Sequence, residues 1–133
     1  MASKIKECLD TNVILRLMLR DIPEQCLKVQ DLLMRANVMY VVDDLAITEA
    51  VYVLQKKHSR GDVVEKIQAL FRLPYLDVNL ALFERALPMY ASHPKLSFND
   101  CYLASKAILE NTEPLWTFDR ALARQARGVK LLD

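Results

Sequence analysis

Short apolar runs that alternate with segments of helical periodicity are the feature that most constrains this fold. Val38 to Val42, V-M-Y-V-V, is β-branched and aromatic, and it is too short for a buried helix. Comparable short runs precede Asp10 and occupy Tyr75 to Val78, Leu115 to Phe118 and Val129 to Leu132. Because strands that alternate with helices pair in parallel through right-handed crossovers, the pattern predicts a layered α/β fold.

The length and composition predict one ordered domain that spans residues 1–133. The chain is 53% hydrophobic and 26% charged, with two glycines and five prolines, which is typical of a helix-rich globular protein. A chain of this length can bury roughly two-thirds of its unfolded surface, so that one hydrophobic core suffices.

Capping and helix-stop residues predict the helix boundaries. A helix from about Leu45 to His58 is expected to end near Gly61, which can adopt the left-handed conformation that closes helices. Asp62 with Glu65 resembles a capping box for another helix. The remaining helices are predicted to begin after Asp10, at Pro23, after Asn79, at Ser97 and at Arg120, and Pro88 is expected to kink or interrupt the helix after Asn79.

The charge of the chain neither indicates nor excludes nucleic-acid binding. The formal net charge is +1, whereas a nucleic-acid-binding domain is usually strongly basic. Basic residues do cluster at Lys56 to Arg60 and at Arg120 to Arg127, although most such clusters are solvated helix faces.

The cysteines and the apolar segments predict a cytoplasmic protein. Cys8, Cys26 and Cys101 lack metal-binding spacing, and we expect them to be reduced and buried. The N-terminus has no apolar region of signal-peptide length, and no apolar run approaches the roughly eighteen residues that a membrane span needs.

Asp10 lies where the first predicted strand gives way to the first helix. In an open α/β sheet, ligands bind at the carboxyl ends of strands, which makes Asp10 a candidate functional residue. Asp is also a preferred helix N-cap, so Asp10 and Thr11 can equally serve to satisfy free backbone N–H groups. Both interpretations stay open for this stretch alone.

Three further acids are candidate functional residues because of the residues near them in the sequence. Glu49 has no cation three or four residues away on its predicted helix, and burial there would favour its neutral form. Asp100 has none either, although with Ser97 it also fits a capping box. Asp119 ends the fourth strand and can cap the next helix. The hydroxyl of Thr117 can bond to Asp119 or to a ligand.

The predicted topology brings these four acids to one edge of the sheet. Asp10 and Asp119 each end a parallel strand there, while Glu49 and Asp100 are expected in the first turns of helices that begin there. Two carboxylates about 4 Å apart repel by about 4 kcal/mol at an effective dielectric of 20. Protonation or a divalent cation must therefore compensate the four charges.

The residue types in this set favour a hard divalent ion. Carboxylate oxygens and water suit Mg²⁺ or Mn²⁺. Zinc is not expected, because His58 and His93 are the only histidines and neither has a partner at ligand spacing. The sequence also lacks a Gly-rich phosphate loop and a nucleophilic Ser or Cys with a plausible His partner.

Four segments, in this order, resemble the PIN-domain family, and particularly the VapC-type ribonuclease toxins of prokaryotic toxin–antitoxin pairs. They are L-D-T-N-V-I-L at Leu9 to Leu15, I-T-E-A-V-Y-V-L at Ile47 to Leu54, S-F-N-D-C-Y-L-A at Ser97 to Ala104, and W-T-F-D at Trp116 to Asp119. Each motif is weak alone, but the ordered set is fairly specific and spans almost the whole chain.

The resemblance implies a particular fold and site. The fold would be a three-layer α/β domain whose five-stranded parallel sheet has the order 3-2-1-4-5, flanked by helices. The acidic metal site, binding Mg²⁺ or Mn²⁺, would consist of Asp10, Glu49, Asp100 and Asp119, with Thr11, Asn12 and Thr117 supporting it.

The resemblance also implies an activity and partners. The activity would be metal-assisted hydrolysis of RNA phosphodiester bonds, giving a 3′-hydroxyl and a 5′-phosphate. The chain would form a homodimer and be silenced by a cognate antitoxin protein. Two alternatives stay open, namely a PIN nuclease of RNA processing outside toxin–antitoxin systems and a non-catalytic α/β module whose acids are helix caps around one regulatory metal site.

Overall fold

The computed structural model of the protein describes residues 4–133, which alternate between strands and helices as the sequence predicts. Five strands and seven helices occupy this part of the chain. In chain order they are β1 Ile5–Cys8, α1 Thr11–Leu19, α2 Pro23–Leu33, β2 Val38–Val41, α3 Asp44–Leu54, α4 Arg60–Phe71, β3 Leu76–Asp77, α5 Leu80–Ser92, α6 Phe98–Leu109, β4 Leu115–Thr117, α7 Arg120–Gln125 and β5 Val129–Leu131.

The strands pair in parallel, which confirms the predicted α/β class. The first sheet has the order β1-β2-β3, and Ile5 of β1 lies opposite Val38 of β2. The second sheet pairs β4 with β5, with Leu115 opposite Val129. The family resemblance implied one five-stranded sheet, whereas the strands of residues 4–133 pair as a three-stranded and a two-stranded sheet.

The chain divides into two compact units, one up to Asn79 and one from Leu80 to Asp133. The first unit contains β1 to β3 and α1 to α4. Its core includes Ile14, Ile47 and Ile67, each with no exposed surface. Tyr40 is also fully buried, and its hydroxyl donates a hydrogen bond to the Leu32 carbonyl at 2.6 Å. That bond satisfies the one polar atom which the burial of the ring would otherwise strand.

The second unit is built on the packing of α5 against α6. Phe98 stacks on Phe83 with ring centroids 6.2 Å apart, and it meets Tyr90 edge to face at 5.5 Å. The predicted interruption at Pro88 does not occur, because α5 continues through this residue. Proline removes only one intrahelical hydrogen bond, and the apolar face of α5 is buried on both sides of it.

The prediction that Gly61 ends a helix was wrong. Gly61 lies in the first turn of α4, and α3 ends earlier, at Leu54. The N-cap of α4 is Ser59, whose hydroxyl accepts a hydrogen bond from the Asp62 backbone N–H at 3.2 Å. Serine supplies the side-chain oxygen that an N-terminus needs, so the helix starts before the predicted capping box.

The structure of residues 4–133 tests the predicted burial of the cysteines and the prediction that no segment spans a membrane. Cys26 and Cys101 are buried as expected, but Cys8 is exposed, and all three are free thiols. No helix in this part of the chain combines the length and the apolar composition that crossing a bilayer would require.

Candidate functional site

Asp10 stands at the junction of β1 and α1. Leu9 after the strand is buried, and Asp10 has the extended backbone of an N-cap, with φ −76° and ψ 158°. Its Oδ1 accepts a hydrogen bond from the Thr11 backbone N–H at 2.8 Å. The capping interpretation is therefore correct, and the carboxylate is exposed at the carboxyl end of β1.

Thr11 joins Asp10 to Glu49. The Thr11 hydroxyl donates a hydrogen bond to Glu49 Oε2 at 2.8 Å. Thr11 is 8% exposed and faces α3, which packs against α1. The structure thus brings the Asp10 and Glu49 carboxylates to the backbone and the side chain of one buried threonine.

Glu49 differs from its prediction in two respects. Because α3 begins at Asp44, Glu49 lies in the second turn and not in the first. Its side chain is exposed, so the predicted cost of burying an unpaired charge does not arise. On α1, Asn12 follows Thr11 in the first helical turn, and its side chain is exposed.

Asp100 completes a capping box at the start of α6. Its backbone N–H donates to Ser97 Oγ at 3.1 Å, and its Oδ2 accepts from the Ser97 backbone N–H at 3.4 Å. The side chain is half-buried. Asp100 therefore has the capping role that the sequence analysis left open as an alternative.

Asp119 caps α7 directly after β4. Its Oδ1 accepts a hydrogen bond from the Leu122 backbone N–H at 3.0 Å. The Thr117 hydroxyl accepts from the Asp119 backbone N–H at 3.0 Å. The Thr117 hydroxyl was predicted to bond to Asp119 or to a ligand, and it bonds to the backbone from which the Asp119 carboxylate projects.

Capping and metal binding are compatible roles for these acids. An ionised carboxylate has two oxygens with about four lone-pair sites. The hydrogen bonds of Asp10 and Asp119 each use one oxygen of their carboxylate, Oδ1. Both residues are exposed, so the second oxygen of each remains accessible to a ligand. A cap of this kind also orients the carboxylate, since the helix fixes its rotamer.

The donor chemistry fits Mg²⁺ or Mn²⁺, since all four candidate acids carry hard carboxylate oxygens. Within residues 4–133, no three His, Cys, Asp or Glu side chains are grouped closely enough to hold a metal ion. Asp10 and Glu49 are linked through Thr11, and the convergence of all four acids stays a prediction.

Comparison with protein families identifies the class of protein that this fold and these acids define. The sequence matches the PIN domain family over residues 8–128, and the chain belongs to that family. The match contains all four candidate acids and the strands β2, β3 and β4.

Among solved structures, the chain is similar to the crystal structure of VapBC2 from Rickettsia felis bound to a DNA fragment from its promoter. The two sequences are 18% identical, the alignment covers 96% of this chain and 98% of that chain, and the TM-score is 0.41. No curated protein sequence gives a significant match.

The sequence pointed to Thr11 as a supporting residue but gave no sign of its partner. Thr11 and Glu49 are 38 residues apart, on different helices. No local pattern relates positions at that separation, so only the packing of α1 on α3 reveals the pair.

Proposed function

We propose that this protein is a divalent-metal-dependent endoribonuclease and the toxin of a toxin–antitoxin pair. The observation that carries the proposal is the 2.8 Å hydrogen bond from Thr11 to Glu49, which stands beside the Asp10 cap within a PIN family match. This bond and the Asp10 cap join two acids of the family motifs to the same threonine, which supports a shared site at the end of β1. The family assignment supports nuclease activity, and the VapC-like motifs support the toxin role.

In the proposed site, Asp10, Glu49, Asp100 and Asp119 hold the metal, and Thr11, Asn12 and Thr117 support them. Bound Mg²⁺ or Mn²⁺ would lower the pKa of a water molecule and reverse the charge that an RNA phosphate meets. We propose the strand order 3-2-1-4-5, which sets the carboxyl ends of β1 and β4 side by side.

Each described contact has a defined part in this proposal. The Thr11 hydroxyl holds Oε2 of Glu49 and leaves Oε1 for the metal ion. The cap bonds of Asp10 and Asp119 restrict their rotamers in the same way. Preorientation of this kind matters, because mutation of the residues that hold metal ligands in place commonly lowers metal affinity or activity by about 10–100-fold.

The proposed partners follow from the toxin assignment. They are an RNA substrate, a cognate antitoxin protein and a second copy of the chain in a homodimer. The support is the resemblance of the four motif segments to VapC-type toxins, together with membership of the PIN family over residues 8–128.

The primary test compares the purified wild-type protein with Asp10→Asn on total RNA. We expect cleavage with Mg²⁺ or Mn²⁺, none with EDTA, and none by the variant. Asp31→Asn is the matched control, because Asp31 is an exposed residue on α2, outside the proposed site. Equal cleavage by Asp10→Asn and Asp31→Asn would refute the assignment. Expression of the same variants in cells tests the toxin role through growth arrest.

Metal binding is measured separately by thermal unfolding with and without Mn²⁺. A ligand at one hundred times its Kd stabilises the folded state by about 2.7 kcal/mol. We expect this stabilisation in the wild-type protein and in Asp31→Asn, and its loss in Asp10→Asn. Stabilisation of all three to the same extent would place the ion elsewhere.

A further inference from the structure

A second potential binding surface lies in the C-terminal unit, on β4, β5 and α7. An open pocket of about 650 Å³ there is lined by residues that include Trp116, Arg120, Arg124 and Lys130. Ligand pockets typically measure about 300–1,000 Å³. We call this pocket the tryptophan pocket. The proposed metal site uses none of these four side chains.

The aromatic part of the tryptophan pocket is unusually exposed. Trp116 has 56% of its surface accessible to solvent. It lies opposite Lys130 in the parallel pairing of β4 with β5, so the two side chains project from the same face of the sheet. Neighbouring Leu115 and Val129 point to the other face, and Val129 is buried. The sheet therefore presents an indole and an ammonium group side by side.

Cations from α7 complete the pocket. Arg120 and Arg124 are four residues apart, which places them on the same face of the helix. Both are exposed, as is Lys130. Within the described part of the chain, no Asp or Glu lines the pocket. Among residues 4–133, no carboxylate forms an ion pair with any of these three cations. Their positive charge is thus available to an external anion.

We propose that the tryptophan pocket binds a single-stranded segment of RNA. A base stacks on the Trp116 indole, and phosphates contact Arg120, Arg124 and Lys130. Aromatic side chains beside a positively charged groove are the usual means of binding single strands, because every base has a π-face and every linkage a negative charge. This inference rests on the proposed function, since it gives the RNA substrate a place on the protein.

An acidic peptide is the competing occupant, and the pocket favours RNA over it. Carboxylates would satisfy the three cations but would leave the indole face exposed. A stretch of nucleotides uses both features together, since phosphates and bases alternate along it. Cation–π contacts from the same arginines to a bound base add to the attraction.

Trp116 provides the assay, because it is the only tryptophan in the chain. The full-length protein is titrated with a short oligouridylate in EDTA, so that binding is followed without metal-dependent cleavage. We expect saturable quenching of tryptophan fluorescence that weakens as salt increases. The matched variants are Lys130→Gln in the pocket and Lys28→Gln on α2, since each removes one exposed lysine charge.

The expected result separates the two variants. Lys130→Gln should bind the oligouridylate about three- to tenfold more weakly at low salt and reduce the salt slope by about 0.7. Lys28→Gln should match the wild-type protein. Trp116→Leu, followed by anisotropy of a labelled oligouridylate, should bind about tenfold more weakly, as expected for one lost base stack. Circular dichroism verifies that each variant is folded.

Three results would overturn the inference. They are an absence of quenching, equal affinities of Lys130→Gln and Lys28→Gln, and tighter binding of a polyglutamate peptide than of oligouridylate. Failure of the proposed function gives a different signature. In that case the oligouridylate still quenches Trp116, while Asp10→Asn leaves metal-dependent cleavage unchanged.

Discussion

The hydroxyl of Thr11 donates a hydrogen bond to the carboxylate of Glu49 across 2.8 Å, although the two residues are 38 positions apart. Thr11 is buried and Glu49 is exposed, so the bond runs from the core of the N-terminal unit to an accessible acid. A fixed donor beneath an exposed carboxylate restricts its orientation. It does so without neutralising the charge that a metal ion requires.

Thr11→Val is expected to weaken Mn²⁺ binding and cleavage by about 10–100-fold, because the variant releases the Glu49 carboxylate. The free energy of unfolding should fall by at most about 1.5 kcal/mol, the usual value of one hydrogen bond. Thr48→Val is the control, since the Thr48 hydroxyl donates to the Leu45 carbonyl of its own helix. Calorimetric titration with Mn²⁺ gives the affinities. The same Mn²⁺ affinity in both variants would argue against a positioning role for Thr11.

Ser97→Ala and Asp100→Asn should separate capping from catalysis. Ser97→Ala removes the acceptor of the Asp100 N–H and should cost about 1 kcal/mol of stability, while cleavage persists well below the Tm. Asp100→Asn retains a side-chain oxygen for the Ser97 N–H, so it should cost less stability yet abolish metal-dependent cleavage. Thermal unfolding gives the stability of each variant, and an RNA cleavage assay on the same samples gives its activity. Full cleavage by Asp100→Asn would leave Asp100 only its structural role.

Replacement of the two glycines by alanine should have opposite effects. Gly128 has φ of +76°, and a Cβ there would meet the Glu113 carboxylate, so Gly128→Ala should destabilise the fold by about 1 kcal/mol or more. Gly61 lies in α4 with nothing within 4 Å of the added carbon, so Gly61→Ala should stabilise it by about 0.4–1 kcal/mol. Urea denaturation measures the free energy of unfolding of both variants. The prediction fails if the two changes have the same sign.

Ser105→Ala should be neutral or should stabilise the protein by up to about 1 kcal/mol. Ser105 is 1% exposed, and within residues 4–133 its hydroxyl oxygen is buried with no hydrogen-bond partner. Removing an unsatisfied polar atom from the interior avoids its desolvation cost. Ser92→Ala is the comparison, because the exposed Ser92 hydroxyl donates to the Pro88 carbonyl. A lower Tm for Ser105→Ala would show that its hydroxyl has a partner in solution.

The sequence alone determined the α/β class and the ends of several helices. The capping box at Ser97 and Asp100 was predicted from two residues, because both of its hydrogen bonds join groups three positions apart. The caps at Asp10 and Asp119 are local in the same way. Gly61 shows the limit of such signals. Ser59 caps α4 in the structure, so that the helix begins before Gly61 and includes it.

The tertiary structure decided which distant residues meet. The packing of α1 on α3 pairs Thr11 with Glu49, and the register of β4 with β5 places Lys130 beside Trp116. Strand pairing also gave sheets of three and two strands in residues 4–133, where the family resemblance implied one sheet of five. The physical reason is the separation along the chain between the residues that interact. Capping and periodicity arise from neighbours along the chain, whereas packing and register depend on how whole helices and strands fit together.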